Sequence, residues 1–153
     1  MSCQTVQPDS GLQIRKAILS DAGNMDLLNR KILPENYPMS DWLFVLGKYP
    51  SYSFVAYDED KLVGYVLGLV VSNEGLIASL AVDKDYRRRH IAECLMGQSL
   101  SELKKTFHNV KLNVRVGNTP AQNLYTKFGF TKSKCEKSYY QDGEDGYEMI
   151  LAF

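Results

Sequence analysis

The feature that most constrains this chain is the run Leu76–Val82, apolar at every position except Ser79. It leads through Asp83 into the polar, basic segment Lys84–Arg89 and then into a helical stripe of Ile91, Leu95, Met96 and Leu103. A strand without polar alternation is expected at the centre of a sheet, covered on both faces. That demands helical layers on both sides, so the chain is read as a mixed α/β domain. The strand–loop–helix unit is also where an anion is expected, because a helix N-terminus offers free N–H groups and the positive end of a dipole.

The surrounding segments supply the layers. Leu12, Ile14 and Ala17–Ile18 suggest a first strand, and Ser20 and Asp21 are capping types ahead of a helix carrying Met25, Leu27, Leu28 and Ile32. Pro34 and Pro38 make Leu33–Pro38 a loop, and Ser40 is the expected cap of a second helix through Leu46. Tyr52–Tyr57 and Leu62–Val71 flank the turn Asp58–Lys61 and read as a hairpin. The helix from Ile91 is expected to run to about Thr106. Val110–Val116 reads as a strand, followed by a helix with Thr119 as cap and Pro120 at its first position, ending at Gly129. Phe130–Cys135 and Tyr147–Phe153 close the domain as two strands around the loop Gln141–Gly146. The order is β-α-α-β-β-β-α-β-α-β-β, a sheet of about seven strands with about four helices in one domain. Residues 1–11 read as a tail and residues 12–153 as the domain.

Composition excludes several classes of function. Lys and Arg number 18, Asp and Glu 18, so no global charge attracts nucleic acid or an anionic membrane. The longest apolar stretch, Leu62–Val71, falls far short of the ~20 residues of a membrane helix. Cys3, Cys94 and Cys135 are odd in number and widely spaced, which indicates neither a disulfide framework nor a metal site. The reading is a reduced, soluble, cytoplasmic protein.

Arg87, Arg88 and Arg89 crowd the positive end of a helix dipole, an unfavourable placement unless an anion is present. Successive backbone amides from Arg87 to Ala92 suit a pyrophosphate. Among the other singular residues, Trp42 reads as a packing anchor, Cys94 as a buried and inert thiol, and His108 as a solvated residue at a helix end. Asp142–Asp145 lacks the spacing of a calcium loop and reads as a turn.

Leu80-Ala81-Val82, Tyr86-Arg87-Arg88-Arg89-His90-Ile91-Ala92 and Asn118 with Tyr125-Thr126-Lys127-Phe128-Gly129-Phe130 resemble the GCN5-related N-acetyltransferases, whose cofactor motif is Arg/Gln-x-x-Gly-x-Gly/Ala. Leu33-Pro34-Glu35-Asn36-Tyr37 and Tyr139-Tyr140-Gln141-Asp142-Gly143-Glu144-Asp145-Gly146-Tyr147 resemble one branch, the catalytic subunit of the N-terminal acetyltransferase A complex and its archaeal counterparts. The resemblance spans residues 12–153. It implies transfer of acetyl from acetyl-CoA to the α-amino group of protein N-termini, with Ser, Ala, Thr or Gly favoured and Met or acidic residues also accepted. It implies direct attack in a ternary complex and no metal, with the chain working either alone or with a ribosome-associated auxiliary subunit.

The resemblance also implies roles. Leu80, Ala81 and Val82 would lie along the pantetheine arm of the cofactor. Arg87, Arg88, Arg89, His90, Ile91 and Ala92 would cradle the pyrophosphate, and Asn118 would touch the cofactor. Tyr125 would stand near the thioester sulfur as a catalytic residue, steadying the leaving thiolate or protonating it. Leu33, Glu35, Tyr37, Asn113, Arg115, Tyr139 and Tyr140 would line the peptide entrance. Two positions depart from the pattern. His90 stands at a family glycine, where its ring either turns outward or donates to phosphate. Asn113 replaces a Glu or His found in relatives, and an amide takes no proton. Glu35 is therefore the catalytic candidate, orienting the amine or relaying its proton through water. Arg115 reads equally as a substrate contact or a structural salt bridge to Glu35 or Glu148. Rival readings are acetylation of a lysine or a small amine, and a degenerate, non-catalytic binding subunit.

Overall fold

A computed structural model describes residues 11–153; residues 1–10 of the expected tail, Cys3 among them, lie outside the described residues. The strands are β1 (Leu12–Lys16), β2 (Phe54–Asp58), β3 (Lys61–Val71), β4 (Glu74–Val82), β5 (Asn109–Arg115), β6 (Thr131–Glu136) and β7 (Gly146–Ala152). The helices are α1 (Ala22–Ile32), α2 (Met39–Lys48), α3 (Ile91–Leu103) and α4 (Thr119–Lys127). All seven strands form one sheet in the order β1-β2-β3-β4-β5-β7-β6. Only β4 and β5 pair in parallel, across the α3 connection.

The sheet is covered on both faces, as the central run requires. One core packs α3 and α4 through Ile91, Leu95, Met96, Leu103, Tyr125 and Phe128. The other packs α1 and α2 through Met25, Leu28, Trp42 and Leu46 against Val55, Tyr65 and Leu67. Trp42 is fully buried, meets Tyr37 and Tyr65 edge-on, and donates Nε1–H to Asp26 at 3.1 Å. It is the packing anchor its sequence context suggests. Cys94 is buried, and desolvation pushes its thiol up, away from the reactive thiolate.

Several boundaries differ from expectation for local reasons. β1 ends at Lys16, short of Ala17–Ile18, because a single 3-10 turn, Leu19–Asp21, leads into α1. Asp21 makes no side-chain cap; its carboxylate accepts the Ile18 amide and a two-pronged bond from Arg15. The expected cap Ser40 lies inside α2, whose N-cap is Pro38. α3 stops at Leu103 rather than Thr106. Asn118, not Thr119, caps α4, accepting from the Ala121 amide at 3.2 Å. His108 is exposed in the connection after α3, and its carbonyl accepts the Phe153 amide.

The central strand brings the largest correction. β4 is not covered evenly on both faces: Leu76, Ala78 and Leu80 remain half-buried. Leu67 of β3 faces Ser79, and the next residue, Gly68, faces Ile77, so Ala78 is an extra residue, a β-bulge. The β4–β5 pairing also ends at Ile77–Leu112. Beyond it β4 stays paired to β3 as far as Val82, and β5 to β7 as far as Arg115. Two backbone edges in mid-sheet therefore face each other without a ladder.

Candidate active site

The gap between Ala78–Val82 and Asn113–Arg115 is the centre of the site. Leu80 and Val82 turn toward the α3 core, whereas Ala81 is buried on the α1–α2 side. Only backbone groups of Ala81 are then available to a molecule lying in the gap. On the α1–α2 side, the Tyr37 hydroxyl donates to the Ala78 carbonyl at 3.1 Å.

Past Val82 the chain makes a 3-10 turn, Lys84–Tyr86, and enters the basic loop. Arg88 (φ 65°) and His90 (φ 61°) are both left-handed without being glycine. Left-handed backbone between extended and helical residues aims N–H groups to one side, which makes an anion-binding concavity. Val82, Tyr86, Arg87, Arg88, His90 and Ala92 line an open depression at the start of α3. Arg87 and Arg88 are exposed, while Arg89 folds back over the Tyr86 ring, 5.0 Å from its centroid. Ile91 is buried in the core, so it presents only backbone to the depression. The His90 ring points outward, with Nδ1 3.5 Å from Glu93, whose carboxylate also pairs with Lys127 at 2.9 Å.

Around the other end of the gap the predicted entrance residues converge. Arg115, from the end of β5, holds Glu35 at 2.7 Å, and Asp142 and Glu144 at 2.8 Å each. Its guanidinium lies 4.2 Å from the centroid of the Tyr140 ring, which meets Tyr139 edge-on. The bonds from Glu35 first, then Glu144 and Asp142, hold Arg115 firmly in its charged form. The predicted salt bridge to Glu35 is present; Glu148 is not a partner and bonds Ser133 instead. Asp142 and Glu144 therefore order the entrance by gripping Arg115, and Glu144 also accepts the Gly117 amide. Tyr139 and Tyr140 lie in the β6–β7 connection, not in a strand. Asn113 is exposed on the Arg115 face of β5, opposite Glu148 of β7. Leu33 is half-buried at the end of α1 and packs into the core beside Tyr37.

Burial raises both Tyr37 and Tyr140, with the Glu35 charge as the next cause, so both stay neutral. Tyr125 on α4 is almost wholly buried, and desolvation pushes its hydroxyl up to about 12. It packs edge-on against Phe130, and its hydroxyl donates to no protein group among the described residues. The phenol is thus a protonated donor at neutral pH.

Several residues that the sequence does not single out build this frame. Buried Asn29 on α1 donates Nδ2–H both to the Glu35 carbonyl (3.0 Å) and to the Tyr65 hydroxyl (2.9 Å). Tyr65 is 2.7 Å from the Ser79 hydroxyl on β4, so the Glu35 loop is tied to the bulged strand. Gln122 donates to the carbonyls of Arg115 and Val116, fixing the β5–α4 turn. A buried Asn one helical turn before a Pro-containing loop is the one local signal available for Asn29.

Residues 22–130 match the model of the acetyltransferase (GNAT) family. An N-alpha-acetyltransferase of Sulfurisphaera tokodaii is 36% identical over 151 residues, covering 90% of each chain. The N-terminal acetyltransferase A complex catalytic subunit NAA10 of Arabidopsis thaliana is 38% identical over 144 residues, 89% of this chain and 75% of that one. Among solved structures, Ard1 from Thermoplasma volcanium superimposes with a TM-score of 0.86 at 27% identity, over 93% of this chain and 97% of that one.

Proposed function

The chain belongs to the GNAT acetyltransferase family and is an acetyl-CoA-dependent N-terminal acetyltransferase, and we propose that Glu35 and Arg115, at the mouth of the β4–β5 gap, receive the peptide N-terminus. One observation carries this reading. A carboxylate from the α1–α2 loop and two from the β6–β7 loop meet on a single guanidinium, flanked by neutral tyrosines. That cluster has more negative than positive charge, which suits an incoming ammonium group.

The residues present fit acetyl-CoA. The unpaired edge of β4 can accept an extended amide chain as an added strand. The left-handed loop Arg88–His90, the α3 N-terminus and the exposed Arg87 and Arg88 can hold a pyrophosphate. Leu80, Ala81, Val82, Arg87 to Ala92 and Asn118 are assigned to that role. When bound, acetyl-CoA supplies an acetyl group already activated as a thioester.

The protein's own part is to seat the amine and to leave its proton a way out through water. Arg115 occupies one Glu35 oxygen, Oε2, and no described protein donor reaches Oε1. Oε1 is assigned to orient the amine, whose ordinary pKa of about 8 lets water carry away the proton. Tyr37, Asn113, Tyr139 and Tyr140 shape the entrance. Tyr125 Oη, held protonated by burial, is assigned to donate toward the leaving thiolate, which would depart as the thiol. We assign N-termini beginning Ser, Ala, Thr or Gly as preferred substrates, with Met or acidic residues as secondary ones. Cytoplasmic action with an auxiliary subunit completes the proposal. No helix among the described residues is long and apolar enough to cross a membrane.

The test is acetyl transfer to peptides beginning Ser, Ala, Met or Glu, with N-blocked, lysine-containing controls, using wild type and Glu35→Gln. Transfer to free N-termini that collapses in the variant is the expected result. Transfer only to the lysine controls would overturn the peptide-terminus reading. No transfer, with no acetyl-CoA binding, would make the chain a non-catalytic binding subunit.

A further inference from the structure

The basic loop holds two non-glycine residues, Arg88 and His90, in left-handed conformation within three positions. Such backbone persists only where its surroundings over-determine it. The downstream anchor is α3. The upstream anchor is Tyr86, the last residue before the loop. The Tyr86 hydroxyl donates to Asp58, at the end of β2, at 2.6 Å. Its ring has Lys61, from the start of β3, 5.3 Å from the centroid and Arg89 at 5.0 Å. One turn earlier, Asp83 is buried; its carboxylate accepts the Asp85 amide and Lys31, and its carbonyl accepts the Tyr86 amide.

We infer that the Tyr86–Asp58 pair is a positioning device for acetyl-CoA: it fastens the phosphate loop to the β2–β3 hairpin and parks Arg89 on the Tyr86 ring, which leaves Arg87 and Arg88 directed at the cofactor. The inference rests on the assignment of Arg87–Ala92 as the pyrophosphate cradle. Tyr86 itself touches no reacting atom. Its short bond to a carboxylate is charge-assisted, and such bonds are the stronger, more directional kind. The loop between two anchors loses orientation when either one is released, so the effect belongs to cofactor affinity and not to the chemical step.

The experiment is calorimetric titration of the full chain with coenzyme A, alongside steady-state kinetics and thermal melting. The variants are Tyr86→Phe, Asp58→Ala, their double, Tyr86→Leu and Arg87→Gln. Tyr86→Phe keeps the ring and removes the hydroxyl; it is expected to weaken coenzyme A binding about 5-fold, less than the roughly tenfold or more that the whole charged hydrogen bond is worth, because only its part in orienting the loop reaches the cofactor. Asp58→Ala should match it, and the double variant should lose little more than either single. Tyr86→Leu, which also removes the ring that Arg89 lies over, should lose about 10-fold or more. KM for acetyl-CoA should rise in parallel, while kcat at saturation and KM for peptide stay within about two-fold. A lowered melting temperature with unchanged coenzyme A affinity would make the pair merely structural and overturn the inference. Additive losses in the double variant would overturn the coupling. If Arg87→Gln binds coenzyme A as wild type does, the cradle assignment itself fails, separately from the role of Tyr86.

Discussion

Replacing Arg115 by Met keeps an unbranched apolar stem but leaves the entrance carboxylates without their shared partner. Glu35 and Glu144 side chains are 38% and 31% exposed, and Arg115 is 18% exposed. Partly exposed ion pairs contribute roughly 0.5–1 kcal/mol each. The guanidinium over Tyr140 adds about 0.5–1 kcal/mol. Asp142 is 60% exposed, and its screened contact is left out of the sum. The loss is then on the order of 2 kcal/mol, or about 4–8 °C in Tm for a chain of this size. Scanning calorimetry without ligand at pH 7.5 and low salt measures it. Arg115→Lys, a point charge without the planar fork, should recover less than half. Raising the salt should narrow the gap between wild type and Arg115→Met, because the contacts lie within reach of screening ions. A Tm change below about 1 °C, or full rescue by Lys, would refute the argument that this cluster fastens the two entrance loops together.

Other outcomes follow from the same geometry. Tyr125→Phe should lower kcat by ~10²-fold with little change in coenzyme A binding, as expected for loss of a general acid. Because burial lifts Tyr125 to about 12, the wild-type rate should rise with pH through the amine's ~8 and show no fall from this group below pH ~10. His90→Gly should raise Tm slightly, since it relieves a left-handed residue worth about 1 kcal/mol, and thermal shift measures it. Burial alone would raise the Asp21 carboxyl, but bonds from Arg15, the Ile18 amide and Tyr57 outweigh it and hold it low. Its stabilisation is therefore present above pH ~4, the ordinary aspartate range, and lost as pH falls through its lower folded value. In acid titrations Asp21→Asn should melt earlier than wild type at neutral pH, with the difference shrinking toward pH 2.

The strand–loop–helix at Leu76–Leu103 and the two helical layers were legible because burial writes itself into local pattern. The entrance loop at Leu33–Tyr37 was legible through its prolines and its resemblance to a known branch. What local pattern hides is partnership across long separations: Lys31 and Asp83 are 52 residues apart, and Asn29 and Tyr65 are 36. The bulge at Ala78 is equally silent, because Leu76–Val82 stays apolar whichever face each residue takes. The α4 cap falls one residue before Thr119, at Asn118, whose side chain accepts the Ala121 amide, and the α2 cap falls two residues before Ser40, at Pro38.

The seam between β4 and β5 also makes the sheet mechanically uneven. Four strands, β1 to β4, form one plate and three, β5, β7 and β6, another. Only the residue pairs from Gly75–Val110 to Ile77–Leu112 rivet the plates together. Beyond the rivets the two edges part, and α3 packs on the β1–β4 plate through β2, β3 and β4. A molecule that laces the two edges together stiffens the whole body, so amide exchange at Ala78–Val82 and Asn113–Arg115 is the natural gauge of occupancy. On the proposed placement of acetyl-CoA along this seam, its binding is expected to slow exchange at both edges together, a readout that needs no turnover.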